Sequence, residues 1–142
     1  MKAASFAPLA LAAVLLTGCD DIFGSGPEGI ELRATASHYA AGDLATIRLT
    51  NHTDESIGYN LCMLRLERRE PDGWVEIPFR EALPCLAIVY SLAPGESDQF
   101  VVELPDSLAG GDYRARTHVS REEESVDLAT PPFVVVSPVE PS

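Results

Sequence analysis

Three histidines, a run of carboxylates and two rows of arginine are the side chains in this sequence with the means to do chemistry. His38, His52 and His118 stand far apart. Zinc sites draw on local pairs such as H-x-x-x-H or H-x-H; neither spacing occurs, so each reads as a surface histidine. Glu122-Glu123-Glu124, with Asp127 close behind, could attract calcium. That ion takes roughly six to eight oxygens from a shaped loop, and the Asp-x-Asp-x-Asp-Gly order is missing. The run therefore reads as a solvated acidic turn, as do Asp54 and Glu55. A serine, a histidine and an acid can be picked from many places, yet no local device for a reactive serine is present. Arg65 and Arg69 share one face of a predicted strand, and Arg114 and Arg116 share a face of another with His118. Their expected partners are Glu67 and Glu103 across the strands. No catalytic group, metal or cofactor is assigned, and the chain reads as a binding module rather than an enzyme.

Leu16-Thr17-Gly18-Cys19 resembles the lipobox of bacterial lipoproteins: a branched apolar residue, a small or polar one, Gly or Ala, then Cys. The resemblance implies cleavage between Gly18 and Cys19, diacylation of the Cys19 thiol and acylation of the new N-terminus. The preceding residues fit a signal peptide, with Lys2 as its positive end and Phe6 to Leu16 as an apolar run too short to span a bilayer. No second apolar run of spanning length follows. The expectation is a protein anchored to a membrane of the cell envelope, facing the periplasm or the exterior, since two or more acyl chains hold stably. Asp20 and Asp21 resemble an inner-membrane retention signal of some enterobacteria. Cleavage takes the formal charge from −12 to −13, because Lys2 is the only charged residue of the leader. Such a charge argues against nucleic-acid partners and favours solubility through self-repulsion.

With Cys19 given to lipid, Cys62 and Cys85 remain as an even pair in an oxidising compartment. A disulfide between them closes a loop of roughly 25 residues and is worth about 3 kcal/mol in the chain-entropy model. Two separate buried thiols, or metal ligation with a histidine, are the alternatives. The absence of a C-x-x-C pair argues against a redox role.

Around these residues the chain divides into a signal peptide (1–18), a Gly-rich flexible tether (19–29), one β domain (30–136) and a Pro-rich tail (137–142). Alternation predicts strands at Ile30 to Ser37, Leu44 to Asn51, Ile57 to Arg69, Trp74 to Pro78, Leu86 to Leu92, Ser97 to Leu104, Asp112 to Ser120 and Val126 to Val136. Ala45, Ile47 and Leu49 share one face of their strand and Tyr113, Ala115, Thr117 and Val119 one face of theirs, while Phe100, Val102 and Leu104 should point inward. Trp74 is expected to cover the core edge. Glu70-Pro71-Asp72-Gly73 is a hairpin signal, and Pro131-Pro132 should break the last strand.

Leu108-Ala109-Gly110-Gly111-Asp112-Tyr113 resembles the tyrosine corner of immunoglobulin-like sandwiches, in which the Tyr113 hydroxyl bonds back to the chain near Leu108, with Gly111 between. Together with Tyr39 to Asp43, Leu49 to Thr53, Asp72-Gly73-Trp74 and Leu92 to Glu96, it resembles small bacterial Ig-like domains of envelope lipoproteins. The implied fold is an all-β, antiparallel Ig-like sandwich of about seven to eight strands; the resemblance carries no function, and an interaction or structural role is expected because no reactive set is present. The sandwich also resembles a family of bacterial proteinase inhibitors, for which Phe79 to Pro84 and Ser120 to Ser125 are the candidate loops. A periplasmic metal-binding protein is the third expectation.

Overall fold

The computed structural model describes Gly24 and residues 26–79 and 85–137. The signal peptide, Cys19 and most of the predicted loop between Phe79 and Pro84 lie outside the described residues.

Two sheets face each other. In the smaller, β1 (Ile30–Ala34) and β8 (Ser97–Glu103) flank β3 (Leu44–Asn51), all antiparallel. The larger is built on β9 (Gly111–Arg121). One side of β9 carries β4 (Ile57–Tyr59) and β5 (Arg65–Glu70), and the other carries β10 (Glu124–Ala129) and β11 (Phe133–Val136). Beyond these, β6 (Gly73–Ile77) pairs with β5 and β7 (Tyr90–Leu92) with β4; at the opposite margin β2 (His38–Ala40) runs parallel to β11.

Period-2 alternation explains which side chains fill the space between the sheets. Ala45, Ile47 and Leu49 are buried from β3, and Tyr113, Ala115, Thr117 and Val119 from β9. The core is completed by Leu64, Leu66, Leu104, Phe133 and Val135, with Tyr39 edge-on to Phe133 at 5.5 Å between ring centres. Asn51 is buried and fully bonded: Nδ2 donates to the carbonyls of Glu55 and Leu92, and Oδ1 accepts from the Thr53 amide and hydroxyl. It thereby fixes the end of β3 against the turn that follows and against β7.

The strands are shorter and more numerous than the alternation predicts. Ile57 to Arg69 is not one strand: a 3-10 turn at Leu61–Met63 divides it, capped by the Asn60 side chain, which accepts from the Cys62 amide at 3.0 Å. Pro131-Pro132 separates β10 from β11 as expected, and Thr130 bridges the gap by exchanging both backbone and hydroxyl bonds with Ala115. β9 and β10 join through Glu122 and Glu123 alone, both at positive φ (48° and 67°), as a two-residue mirror-image turn requires.

Part of the expected tether lies against the domain. A Cβ at Gly24 would sit 2.5 Å from the Ala129 carbonyl oxygen, and one at Gly26 would overlap the Leu128 side chain, so β10 approaches the backbone closely at both positions. The Gly29 carbonyl also accepts from the His52 amide at 2.7 Å. Gly24 and the residues from Gly26 onward therefore read as an apron of the domain.

Candidate binding surfaces

The segment after Cys85 is organised by its neighbours rather than by a ladder. Cys62 and Cys85 form a disulfide with Cα atoms 5.8 Å apart. The Asn60 Nδ2 then donates to the carbonyls of Leu86 (2.9 Å) and Ile88 (3.0 Å). One asparagine thus caps the 3-10 turn with its oxygen and holds the neighbouring segment with its nitrogen. This is why the predicted strand from Leu86 to Leu92 is reduced to its last three residues. Those carbonyls are engaged, yet the side chains point outward: Leu86 is 70% exposed, Ile88 42%, Val89 73% and Tyr90 49%. Val89 leans over β4 at Gly58, where an added Cβ would come within 2.8 Å of its Cγ1.

β7 and β8 follow each other through the turn Ala93–Glu96, and each is the edge strand of its own sheet. The two edges are tied by Tyr59, whose hydroxyl donates to Asp98 Oδ2 at 2.5 Å. Burial and the nearby carboxylates of Asp98 and Glu96 push the Tyr59 phenol up to about 12. Tyr90 lies over Tyr59 with ring centres 5.9 Å apart. From Cys85 to Leu104 the chain carries Glu96, Asp98 and Glu103 and not a single Lys, Arg or His.

The outer face of the larger sheet holds the predicted arginine rows, and they are largely charge-paired. Glu67 accepts from Arg114 Nε at 2.7 Å and lies 3.7 Å from Arg116, which also reaches Asp127 at 3.2 Å. Arg69 faces Asp112 at 3.6 Å. The expected pairing with Glu103 does not occur, because Glu103 belongs to β8 in the other sheet, opposite Leu44. Trp74 does not cover the core edge. The guanidinium groups of Arg69 (4.9 Å) and Arg114 (4.4 Å) both lie over its ring on this outer face.

The remaining predicted residues are dispersed. His38, His52 and His118 are all exposed, at the start of β2, beside Glu31 and opposite Asp127 respectively. Among the described residues no group of three or more His, Cys, Asp or Glu side chains stands together to hold a metal. Glu122 and Glu123 occupy the hairpin turn, and Glu124 begins β10. Leu108 and Tyr113 are buried, and the Tyr113 hydroxyl donates to the Ala109 carbonyl at 2.7 Å, with Gly111 between them at the head of β9. The exposed strip from Leu86 to Tyr90 is the feature the alternation concealed, since an apolar run reads as buried. Asn60, able to compete with the ladder, was the available signal.

Two mainly antiparallel sheets packed face to face, the larger built on β9, with a tyrosine bonded back across the entry turn of β9, define an immunoglobulin-like sandwich. The chain belongs to the bacterial Ig-like domain family, whose model matches residues 26–130. No curated protein sequence matches it. Among solved structures, similarity extends to the alkylpurine DNA glycosylase AlkC of Pseudomonas fluorescens (12% identity, TM-score 0.40), covering 77% of this chain and 31% of that one. The chain thus spans under a third of that enzyme. The putative ApaA protein of Bordetella pertussis is similar at 15% identity and TM-score 0.47, covering 84% of this chain and 98% of that one. The PmoD soluble domain of Methylocystis is similar at 12% identity and TM-score 0.41, with 81% and 98% covered. Among the described residues no helix is long and apolar enough to cross a membrane.

Proposed function

We propose that this protein is a lipid-anchored envelope lipoprotein whose Ig-like domain is a non-catalytic binding module. The observation that carries the reading is the lipobox-like Leu16-Thr17-Gly18-Cys19 directly ahead of a single Ig-like domain. Its partners are then the membrane, through acyl groups on Cys19, and an envelope protein, through the sandwich; nucleic acid is disfavoured by the charge. Gly24 and Gly26 lie against β10, so the domain begins within a few residues of Cys19 in sequence.

Membrane fractionation and intact-mass analysis in the native host test the anchor. Wild type is expected in the membrane with acyl mass on Cys19, and Cys19→Ser in the soluble fraction. A soluble, unacylated wild type overturns it. Photo-cross-linking in intact cells followed by affinity recovery tests the module, and one dominant envelope protein is expected. The cross-linker must not be amine-directed, since Lys2 is the only lysine and leaves with the leader. Recovery of only abundant neighbours overturns the protein-binding part.

A proteinase inhibitor is the second reading, favoured by the Cys62–Cys85 disulfide, which secures the chain where the predicted inhibitory loop rejoins the domain. Unimpeded envelope proteases in the presence of excess purified domain would remove it.

A further inference from the structure

The exposed strip at Leu86–Tyr90 combines properties that seldom coincide on a solitary domain. Its side chains are apolar and open to solvent, whereas its backbone is fastened by the Cys62–Cys85 disulfide and by the two bonds from Asn60. Exposed apolar residues on a fastened backbone lose little entropy when a partner covers them. The strip leads into β7, which pairs with β4 alone among the described residues. The other side of an edge strand offers backbone donors and acceptors to an incoming chain. Beside it runs β8, the edge of the second sheet, reached through a turn of four residues.

Charge selects the occupant. The flank from Cys85 to Leu104 has three carboxylates and no cation, while Arg69, Arg114 and Arg116 lie on the outer face of the larger sheet and are paired there. A second copy of the domain would bring the same carboxylates to the contact, with cations only on neighbouring strands, at Arg48 of β3 and His118 of β9. An extended segment alternating apolar and basic residues would instead place its apolar side chains on Leu86, Val89 and Tyr90 and its cations near Glu96 and Asp98.

We infer that the β7 edge, flanked by the Leu86–Tyr90 strip and bordered by Glu96 and Asp98, receives an extended cationic segment of a partner protein by strand addition. This inference rests on the binding-module reading and specifies its surface.

The test uses the oxidised mature chain and synthetic peptides. The probes are an alternating Val/Arg octapeptide, a Val/Glu octapeptide, and two versions of the first N-methylated at alternate residues. The Val/Arg peptide is expected to bind and the Val/Glu peptide not. Because a strand presents alternate amides to its neighbour, one N-methylated version should lose at least about tenfold and the other should not. Leu86→Arg and Val89→Arg should each weaken the Val/Arg peptide by about tenfold, through lost apolar contact and an added like charge, with an unchanged melting temperature because both side chains are exposed. Equal binding of both N-methylated peptides, or insensitivity to Leu86→Arg and Val89→Arg, would show attraction by net charge alone and overturn the inference. So would a dimer of the mature chain that Leu86→Arg dissociates. If a cellular partner is recovered and its cross-links fall on the Trp74 face, the edge assignment fails while the binding-module reading stands.

Discussion

Replacing both bridging cysteines by serine, Cys62→Ser with Cys85→Ser, isolates what the disulfide contributes. The bond joins residues 23 apart, enclosing β5, β6 and their hairpin. Restraining a loop of that length in the unfolded chain is worth about 3 kcal/mol. For a domain of this size that is roughly 10 °C in melting temperature. Urea unfolding of oxidised wild type against the double variant measures the difference, and the variant should show a lower midpoint with a somewhat larger m-value, because its unfolded chain is free to expand. Reduced wild type should match the variant. Hydrogen exchange adds a local reading: amides from Ile88 to Leu92 should exchange faster in the variant, whereas those of β3 should slow or quicken only with global stability. A loss below about 1 kcal/mol, or reduced wild type as stable as oxidised, would refute the reasoning, since either means the cross-link restrains little in the unfolded state.

Tyr113→Phe keeps the buried ring but removes the donor to Ala109; a loss of about 1–3 kcal/mol is expected in the same urea assay, and a change under about 0.5 kcal/mol would make the bond incidental. Thr117→Val should stabilise by about 1 kcal/mol, because the Thr117 hydroxyl is buried without a hydrogen-bond partner among the described residues and valine fills the same space; a lower melting temperature would reveal a partner such as a held water. Spectrophotometric titration should show one tyrosine ionising near pH 12, and Tyr59→Phe should abolish that late step. Since the folded pKa lies above the ordinary 10.0, the stabilisation is complete below pH 10 and is lost as pH rises from 10 toward 12, where the unfolded chain ionises first. Tyr59→Phe should flatten stability across that window, and an unchanged slope would assign it elsewhere.

The sandwich was legible wherever burial on one face imposes strict alternation. β3 runs from Leu44 to Asn51 as the pattern marks it, and the four residues grouped on one face of β9 are the ones that are buried. What escaped depends on contacts distant in sequence. β2 is only three residues long and exists through parallel pairing with β11, nearly a hundred residues away. The interruption after Tyr59 comes from a single polar side chain that satisfies both a local turn and the segment beyond Cys85. Glu103 faces outward in its strand as the alternation implies, but period alone does not say which sheet a strand joins, so its partner was misassigned. The same limit applies to Leu86–Tyr90: hydrophobicity marks residues that avoid water without saying whether this chain or another will cover them.

Trp74, the single tryptophan, sits on the hairpin of β5 and β6 against the guanidinium groups of Arg69 and Arg114 rather than in the core. Its emission is therefore a gauge of local field at one margin of the molecule. When the hairpin peels away, the indole loses both cations and its colour should change, even while the central strands remain intact. Followed beside a backbone signal during unfolding, this optical probe separates fraying of the margin from collapse of the whole, without a label or a substitution.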